Sequence, residues 1–259
     1  MSSLLEYSEV SIAYYGKKTV HEVSFSIDAG ECLCIVGESG SGKTTLIKAA
    51  MALLADNASM CHGSIYFKGQ DMASLSPSEL RKLSGSEISM IFQDSLSALT
   101  PTRTIRDQLL EMFKAHGLTH IDHVYAQALN LLEQLRIAHP HRVLESYPFE
   151  LSGGMGQRVG IMFACILSPS LIIGDEPTSA LDVLSQKEVL KFFSEHKSKQ
   201  SGLLLVTHNI ALAKYIADSV VVLKDGRVQE YASSSEIFTH PKSEYTKSLL
   251  AASPKLRRE

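Results

Sequence analysis

The sequence contains only four cysteines, no apolar stretch long enough to cross a bilayer and no large surplus of charge of either sign. Each absence closes off a class of protein. The longest apolar run, Val159-Gly160-Ile161-Met162-Phe163-Ala164-Cys165-Ile166-Leu167, stops at Ser168-Pro169, well short of the roughly 20 residues a helical span needs. The start, Met1-Ser2-Ser3-Leu4-Leu5-Glu6-Tyr7, has no basic region leading into an apolar core, so no signal peptide is expected and the chain is placed in the cytoplasm. A formal net charge of -3 and a pI near 6.4 give no field for a polyanion, and no nucleic-acid partner is expected. Cys32, Cys34, Cys61 and Cys165 form no C-x-x-C pair and the ten histidines show no paired ligand spacing, which argues against a structural metal centre. Cys32 and Cys34 alternate on a predicted strand and read as small buried apolar residues. With 44% hydrophobic and 20% charged residues over 259 positions, the chain can bury a large core.

What is present is organised around Gly37-Glu38-Ser39-Gly40-Ser41-Gly42-Lys43-Thr44. Leu33-Cys34-Ile35-Val36 before it reads as a strand and Thr45-Leu46-Ile47-Lys48-Ala49-Ala50 after it as a helix, the context that the phosphate-loop pattern G-x-x-x-x-G-K-[ST] demands. The glycines let successive N–H groups face one anion, and a helix beginning near Gly42 brings its positive dipole end to the same place. Lys43 is expected on the β- and γ-phosphates and the Thr44 hydroxyl on Mg²⁺.

Around this loop, Val10-Ser11-Ile12-Ala13-Tyr14-Tyr15, a turn at Gly16-Lys17-Lys18, and the alternating Val23-Ser24-Phe25-Ser26-Ile27 predict a small antiparallel sheet. Tyr14 or Tyr15 offers a ring on which an adenine can stack. Gly63 to Gln70 reads as a further strand that ends in a turn, and Ser76-Pro77-Ser78-Glu79 announces a helix by N-cap, first-position proline and capping glutamate. Ile88-Ser89-Met90-Ile91-Phe92 is a buried strand that delivers Gln93 at its carboxyl end, where open α/β sheets bind ligands. From Thr104 to about Leu144 the period is helical and no strand intervenes. Core strands resume at Leu171-Ile172-Ile173-Gly174, delivering Asp175 and Glu176, and at Leu203-Leu204-Leu205-Val206-Thr207, delivering His208. Val220-Val221-Val222-Leu223 leads to a turn at Lys224-Asp225-Gly226. The chain from Ser234 reads as helical, and the basic end at Lys255-Leu256-Arg257-Arg258 as a solvated tail. The expected fold class is α/β: a P-loop NTPase (RecA-like) core over about residues 1–93 and 159–232, carrying an N-terminal antiparallel β subdomain. A helical insertion follows over about residues 94–158 and a short helical tail over about 233–259.

Leu151-Ser152-Gly153-Gly154-Met155-Gly156-Gln157-Arg158 opens a second helix with a serine and two glycines, a second anion-ready N-terminus in one chain. One nucleotide does not need both. The economical account is that this cradle closes over the γ-phosphate held by another subunit.

Residues 37–44, Gln93, residues 151–158, residues 171–176, Ser179-Ala180-Leu181-Asp182 and His208, in that order, resemble the nucleotide-binding subunit of an ABC transporter, over about Tyr14 to Asp225. The resemblance implies ATP and Mg²⁺ as ligands, and these roles. Tyr14, or Tyr15 if the loop is shifted, stacks on adenine. Gly37, Glu38, Ser39, Gly40, Ser41, Gly42, Lys43, Thr44 and Thr45 cradle the phosphates, with Thr44, Gln93 and Asp175 serving the metal. Glu176 is the general base, and His208 contacts the γ-phosphate. Ser152, Gly153, Gly154 and Gln157 serve the partner's ATP, and Asp182 communicates across the dimer. Gly174 stands where alanine is common. Gly156 stands where a helix-favouring residue is common, which predicts a looser helix at a cost of about 1 kcal/mol.

Within that family, Met90-Ile91-Phe92-Gln93-Asp94, Ser97-Ala98-Leu99-Thr100-Pro101 and the tail Ile237 to Leu250 resemble the oligopeptide, dipeptide and nickel importer group. That implies an ATPase at the cytoplasmic face of the membrane, beneath two membrane-spanning permease subunits. A second, non-identical ATPase subunit and an extracytoplasmic substrate-binding protein complete the assembly. The segment from Asp94 to Phe113 would receive a permease helix. No cysteine lies beyond Cys165, so no iron–sulfur site is expected, and the short tail leans toward nickel or metal-chelate import. The alternatives are a soluble ATPase of the same type acting on nucleic acid or ribosomes, and the ATPase of an exporter.

Overall fold

The computed structural model describes residues 3–118, 121–196 and 201–252, with backbone alone at 121 and 122; the basic end at Lys255, Leu256, Arg257 and Arg258 lies outside the described residues. Three successive parts of the chain, residues 3–84, 85–196 and 201–252, carry the elements, and the first stretch holds β1 (Leu5–Tyr14), β2 (Lys17–Ile27), β3 (Cys32–Val36), α1 (Lys43–Ala50), β4 (Ala58–Phe67), the short β5 (Gln70–Asp71) and α2 (Pro77–Leu83). The second holds β6 (Ile88–Ile91), α3 (Ile105–Ala115), α4 (Ile121–Gln134), α5 (Pro140–Glu145), α6 (Gly153–Cys165), β7 (Leu171–Asp175) and α7 (Val183–His196). The third holds β8 (Gly202–Thr207), α8 (Ile210–Ile216), β9 (Ser219–Lys224), β10 (Arg227–Ser233), α9 (Ser234–Thr239) and α10 (Glu244–Ala252). The first and third stretches form one compact unit, and residues 85–196 form another.

In the first unit, strands run in the order β10-β9-β3-β8. β3 is parallel to both neighbours, with Cys34 opposite Leu205 on one side and Val220 on the other. Every residue of β3 and β8 is buried, as the uninterrupted apolar runs of these strands demand, because a parallel strand is covered on both faces. Cys32 and Cys34 are buried as expected. The antiparallel sheet has the order β2-β1-β4-β5. It is tied to the helix after the phosphate loop by Tyr7, whose wholly buried ring stacks on Phe25 with centroids 4.3 Å apart. The Tyr7 hydroxyl donates to the Leu46 carbonyl at 2.9 Å; leaving it unpaired would cost about 1–3 kcal/mol. The capping box at Ser76 and Glu79 forms as read, with Pro77 opening α2.

Two details differ from the sequence reading. The turn between β1 and β2 is Tyr15-Gly16, with φ of 48° and 76°, and Lys17 and Lys18 open β2 instead of lying in the turn. Positive φ at both residues of a two-residue hairpin loop is the type I′ turn, whose twist matches that of the flanking strands. Residues 227–233, to which the pattern assigned nothing, form β10, antiparallel to β9.

In the second unit, β6 pairs parallel with β7, Ile88 opposite Leu171 and Ile91 opposite Gly174. Ser89 on β6 donates to the Ala164 carbonyl of α6 at 2.6 Å. The helical stretch from Thr104 is three helices: Thr104 caps α3 by accepting from the Asp107 N–H, and Pro140 opens α5.

Candidate functional site

The first unit presents the phosphate loop as read. Gly42 is the N-cap of α1, with φ of 100°, and no side chain caps that helix, which leaves its first N–H groups facing the loop. Only glycine fits at position 37, where a Cβ would lie 2.1 Å from the Leu223 carbonyl oxygen. Lys43 is 7% exposed. Its Nζ donates to the carbonyls of Gly37 at 2.9 Å and Glu38 at 2.7 Å and reaches Ser41 Oγ at 3.5 Å. An ammonium charge is thus held inside a ring of backbone, at the N-terminal end of a helix. Thr44 and Thr45 follow in the first turn of α1. His208 is exposed at the carboxyl end of β8, and the next residue, Asn209, caps α8 by accepting from the N–H groups of Ala211 and Leu212.

The two tyrosines are placed differently. Tyr14 is half-buried at the end of β1, its hydroxyl 3.3 Å from Thr45 Oγ1. Tyr15 is 86% exposed on the hairpin turn. A third tyrosine was not read as a site residue. Tyr245 of α10 lies beneath Lys224, whose Nζ is 4.7 Å from the ring centroid. Its hydroxyl is buried beside Glu38, outside regular hydrogen-bond geometry, and burial, ahead of that neighbour, raises its pKa above the usual tyrosine value. The N-terminus of α10 is anchored by Glu230, which accepts from Lys242 N at 2.9 Å and Ser243 N at 3.0 Å.

The second unit holds the other residues. Asp175, 5% exposed, ends β7. Glu176 comes next with φ of 49°, a left-handed conformation that costs a non-glycine residue about 1–3 kcal/mol and recurs at functional sites. Its carbonyl accepts from Ser179 N at 3.1 Å, closing a turn. Gln93 is exposed just past β6. Ser152 caps α6 by accepting from Met155 N at 3.3 Å, and Gly153 and Gly154 form its first turn. Gln157 is 2% exposed and donates to the Phe92 carbonyl at 3.1 Å. Gln93, Gly153, Gln157, Ser179 and Ala180 are brought together around an open cleft of about 430 Å³. Asp182 caps α7, accepting from Ser185 N at 3.0 Å and Ser185 Oγ at 2.7 Å; these bonds hold its carboxyl below the usual aspartate range. Gly156 does not break its helix: α6 runs through it, and the residue is buried.

Among the described residues, no cluster of three His, Cys, Asp or Glu could hold a metal, and no helix is long and apolar enough to cross a membrane.

The profile of the ABC transporter family matches residues 20–179. The oligopeptide transport ATP-binding protein OppD of Lactococcus lactis subsp. cremoris (strain SK11) is 40% identical over 257 residues, which cover 97% of this chain and 76% of that protein. The metal-staphylopine import system ATP-binding protein CntD of Staphylococcus aureus (strain NCTC 8325 / PS 47) is 37% identical over 92% of this chain and 88% of that one. Among solved structures, the dimeric post-hydrolysis state of the ATP-binding cassette MJ0796 with ADP and Pi superposes with a TM-score of 0.79 at 25% identity, covering 89% of this chain and 98% of that one. The phosphate loop, the paired carboxylates and these likenesses agree, and the chain belongs to the ABC transporter family as an ATP-binding ATPase.

Proposed function

We propose that this chain is the ATPase subunit of an importer of peptides or metal chelates, working at the cytoplasmic face of a membrane beneath two permease subunits. A second ATPase subunit and an extracytoplasmic binding protein complete the assembly. The observation that carries the reading is Lys43, buried and bonded inside the phosphate loop; OppD and CntD, named for oligopeptide transport and metal-staphylopine import, support the substrate classes.

In this reading residues 37–45 bind the phosphates, with Lys43 on the β- and γ-groups. The oxygens assigned to Mg²⁺, from the Thr44 hydroxyl, the Gln93 amide and the Asp175 carboxylate, are the hard donors that this ion prefers. The ion, when bound, neutralises charge developing on the phosphates. Glu176 orients water and takes its proton, and His208 donates to the γ-phosphate. Ser152, Gly153 and Gly154 serve the ATP of a second subunit. Gln157 is assigned to hold the segment after β6 through Phe92, and Asp182 to the dimer contact from its place at the start of α7.

For adenine, Tyr15 is the better platform, because the side chain of Tyr14 is half-buried while the ring of Tyr15 is open. Tyr15→Ala weakens ATP binding about tenfold, as loss of one stacked ring does, and Tyr15→Phe leaves it unchanged. If Tyr15→Ala binds ATP normally and Tyr14→Ala does not, the platform is Tyr14.

Affinity purification from detergent-solubilised membranes of the native host, followed by mass spectrometry, tests the transport reading. Two permease subunits, a second ATPase and a binding protein are the expected companions. Ribosomal proteins without any membrane subunit would sink the importer and leave the ATPase standing.

A further inference from the structure

We infer that Leu96 is a positioning residue: it seats in the notch that Gly156 leaves in α6, and so fixes the loop carrying Gln93 to the helix opened by Ser152, Gly153 and Gly154. A Cβ on Gly156 would lie 2.3 Å from Leu96 Cγ and 2.4 and 2.7 Å from its two methyls. One turn further along the same face, a Cβ on Gly160 would lie 2.2 Å from Ser95 Oγ. Two glycines four apart thus receive two consecutive side chains of one loop. Between them Gln157, buried, donates to the Phe92 carbonyl at 3.1 Å, and Ser95 Oγ donates to the same carbonyl at 3.2 Å. Every one of these contacts falls within three residues of Gln93.

Two glycines inside a thirteen-residue helix cost about 1 kcal/mol each against alanine, so their presence calls for a compensating gain. The gain is close approach. A close-packed contact of this kind moves as a body or not at all; a displacement at Gln93 is carried through Leu96 to the first turn of α6, and the reverse. Leu96 also lines the cleft shared by Gln93, Gly153, Gln157 and Ser179. This inference rests on the proposed reading of Gln93 and Ser152 as residues that meet nucleotide. It assigns Leu96 and Gly156 the coupling of the two, with neither touching ATP.

The test is a double-substitution cycle in the full chain, read by steady-state ATP hydrolysis and by hydrogen exchange over residues 152–158. Gly156→Ala favours the isolated helix yet drives Leu96 out of its notch, and kcat falls about tenfold with KM for ATP held within about twofold, since a displacement near 1 Å costs this much or more. Leu96→Ala empties the notch, lowers kcat about threefold and speeds exchange of the 152–158 amides about tenfold through looser local packing. In the double variant the methyl introduced by Gly156→Ala takes the space that Leu96→Ala gives up, and both readouts return to within about twofold of the unsubstituted chain, a coupling that two independent sites would not show. Wild-type kcat in Gly156→Ala, or a double variant no better than that single one, overturns the inference. Should Gly156→Ala not fold, Leu96→Ala decides alone, because it introduces no clash: unchanged exchange at 152–158 overturns the coupling. An unsubstituted chain that binds no ATP strikes instead at the functional reading, and the exchange pattern still decides the coupling.

Discussion

Glu176→Gln abolishes most turnover, lowering kcat about 10²–10⁴-fold, the usual worth of a general base, while the variant still binds ATP. The substitution is nearly isosteric, so the turn closed by Ser179 N on the Glu176 carbonyl is kept. What is lost is the capacity to take a proton from water. The position supports the assignment from the chain itself. β7 is a five-residue apolar strand that ends on a buried aspartate, and the following glutamate is held half-buried in a left-handed conformation. Two adjacent carboxylates at one strand end therefore have unlike surroundings, Asp175 inside and Glu176 partly open, which suits unlike tasks. Single-turnover hydrolysis, with nucleotide binding measured separately, checks the prediction. Turnover equal to that of the unsubstituted chain removes Glu176 from the chemistry, and loss of binding and turnover together reassigns it to holding the nucleotide.

The strands and loops that carry these groups were legible because they rest on short-range rules. Uninterrupted apolar runs made β3, β7 and β8 readable, and their carboxyl ends placed Asp175, Glu176 and His208. Ser76-Pro77-Ser78-Glu79 encodes its own helix start, and the capping box formed. The readings that moved depend on geometry a pattern does not hold. Gly16 points the β1–β2 turn toward the two lysines after it, whereas Tyr14 pairs with Lys17 and the hairpin closes on Tyr15-Gly16, both at positive φ. The strand Arg227–Ser233 alternates exposed and half-buried residues with none fully buried, so it carries no apolar run to announce it. Gly156 looked like a local weakness because helix propensity counts only the backbone; its worth lies in Leu96, sixty residues earlier by sequence order. Tyr245 likewise meets Glu38 across most of the chain, and no spacing rule joins a tail helix to a phosphate loop.

Lys43→Ala separates binding from chemistry in the opposite sense to Glu176→Gln. The Lys43 ammonium is almost wholly buried and donates to two carbonyls of its own loop. These bonds fix the side chain within the loop, so little of its freedom is lost on binding. A preorganised charge-assisted contact is worth about 1.5–3 kcal/mol, and removal of Lys43 should weaken ATP binding roughly 10–100-fold. Turnover under ordinary assay conditions falls with it. The same lysine also bridges Gly37 and Glu38, so its loss could act by opening the loop instead of by removing charge, and two nucleotides tell these apart. AMP lacks the phosphates that Lys43 is assigned to reach. Equilibrium titration of the alanine variant with ATP and with AMP should show a large loss for ATP and nearly none for AMP. An equal loss for both means that Lys43 builds the loop and does not contact the terminal phosphates. Normal affinity for ATP removes it from the cradle, and with it the observation on which the functional reading stands.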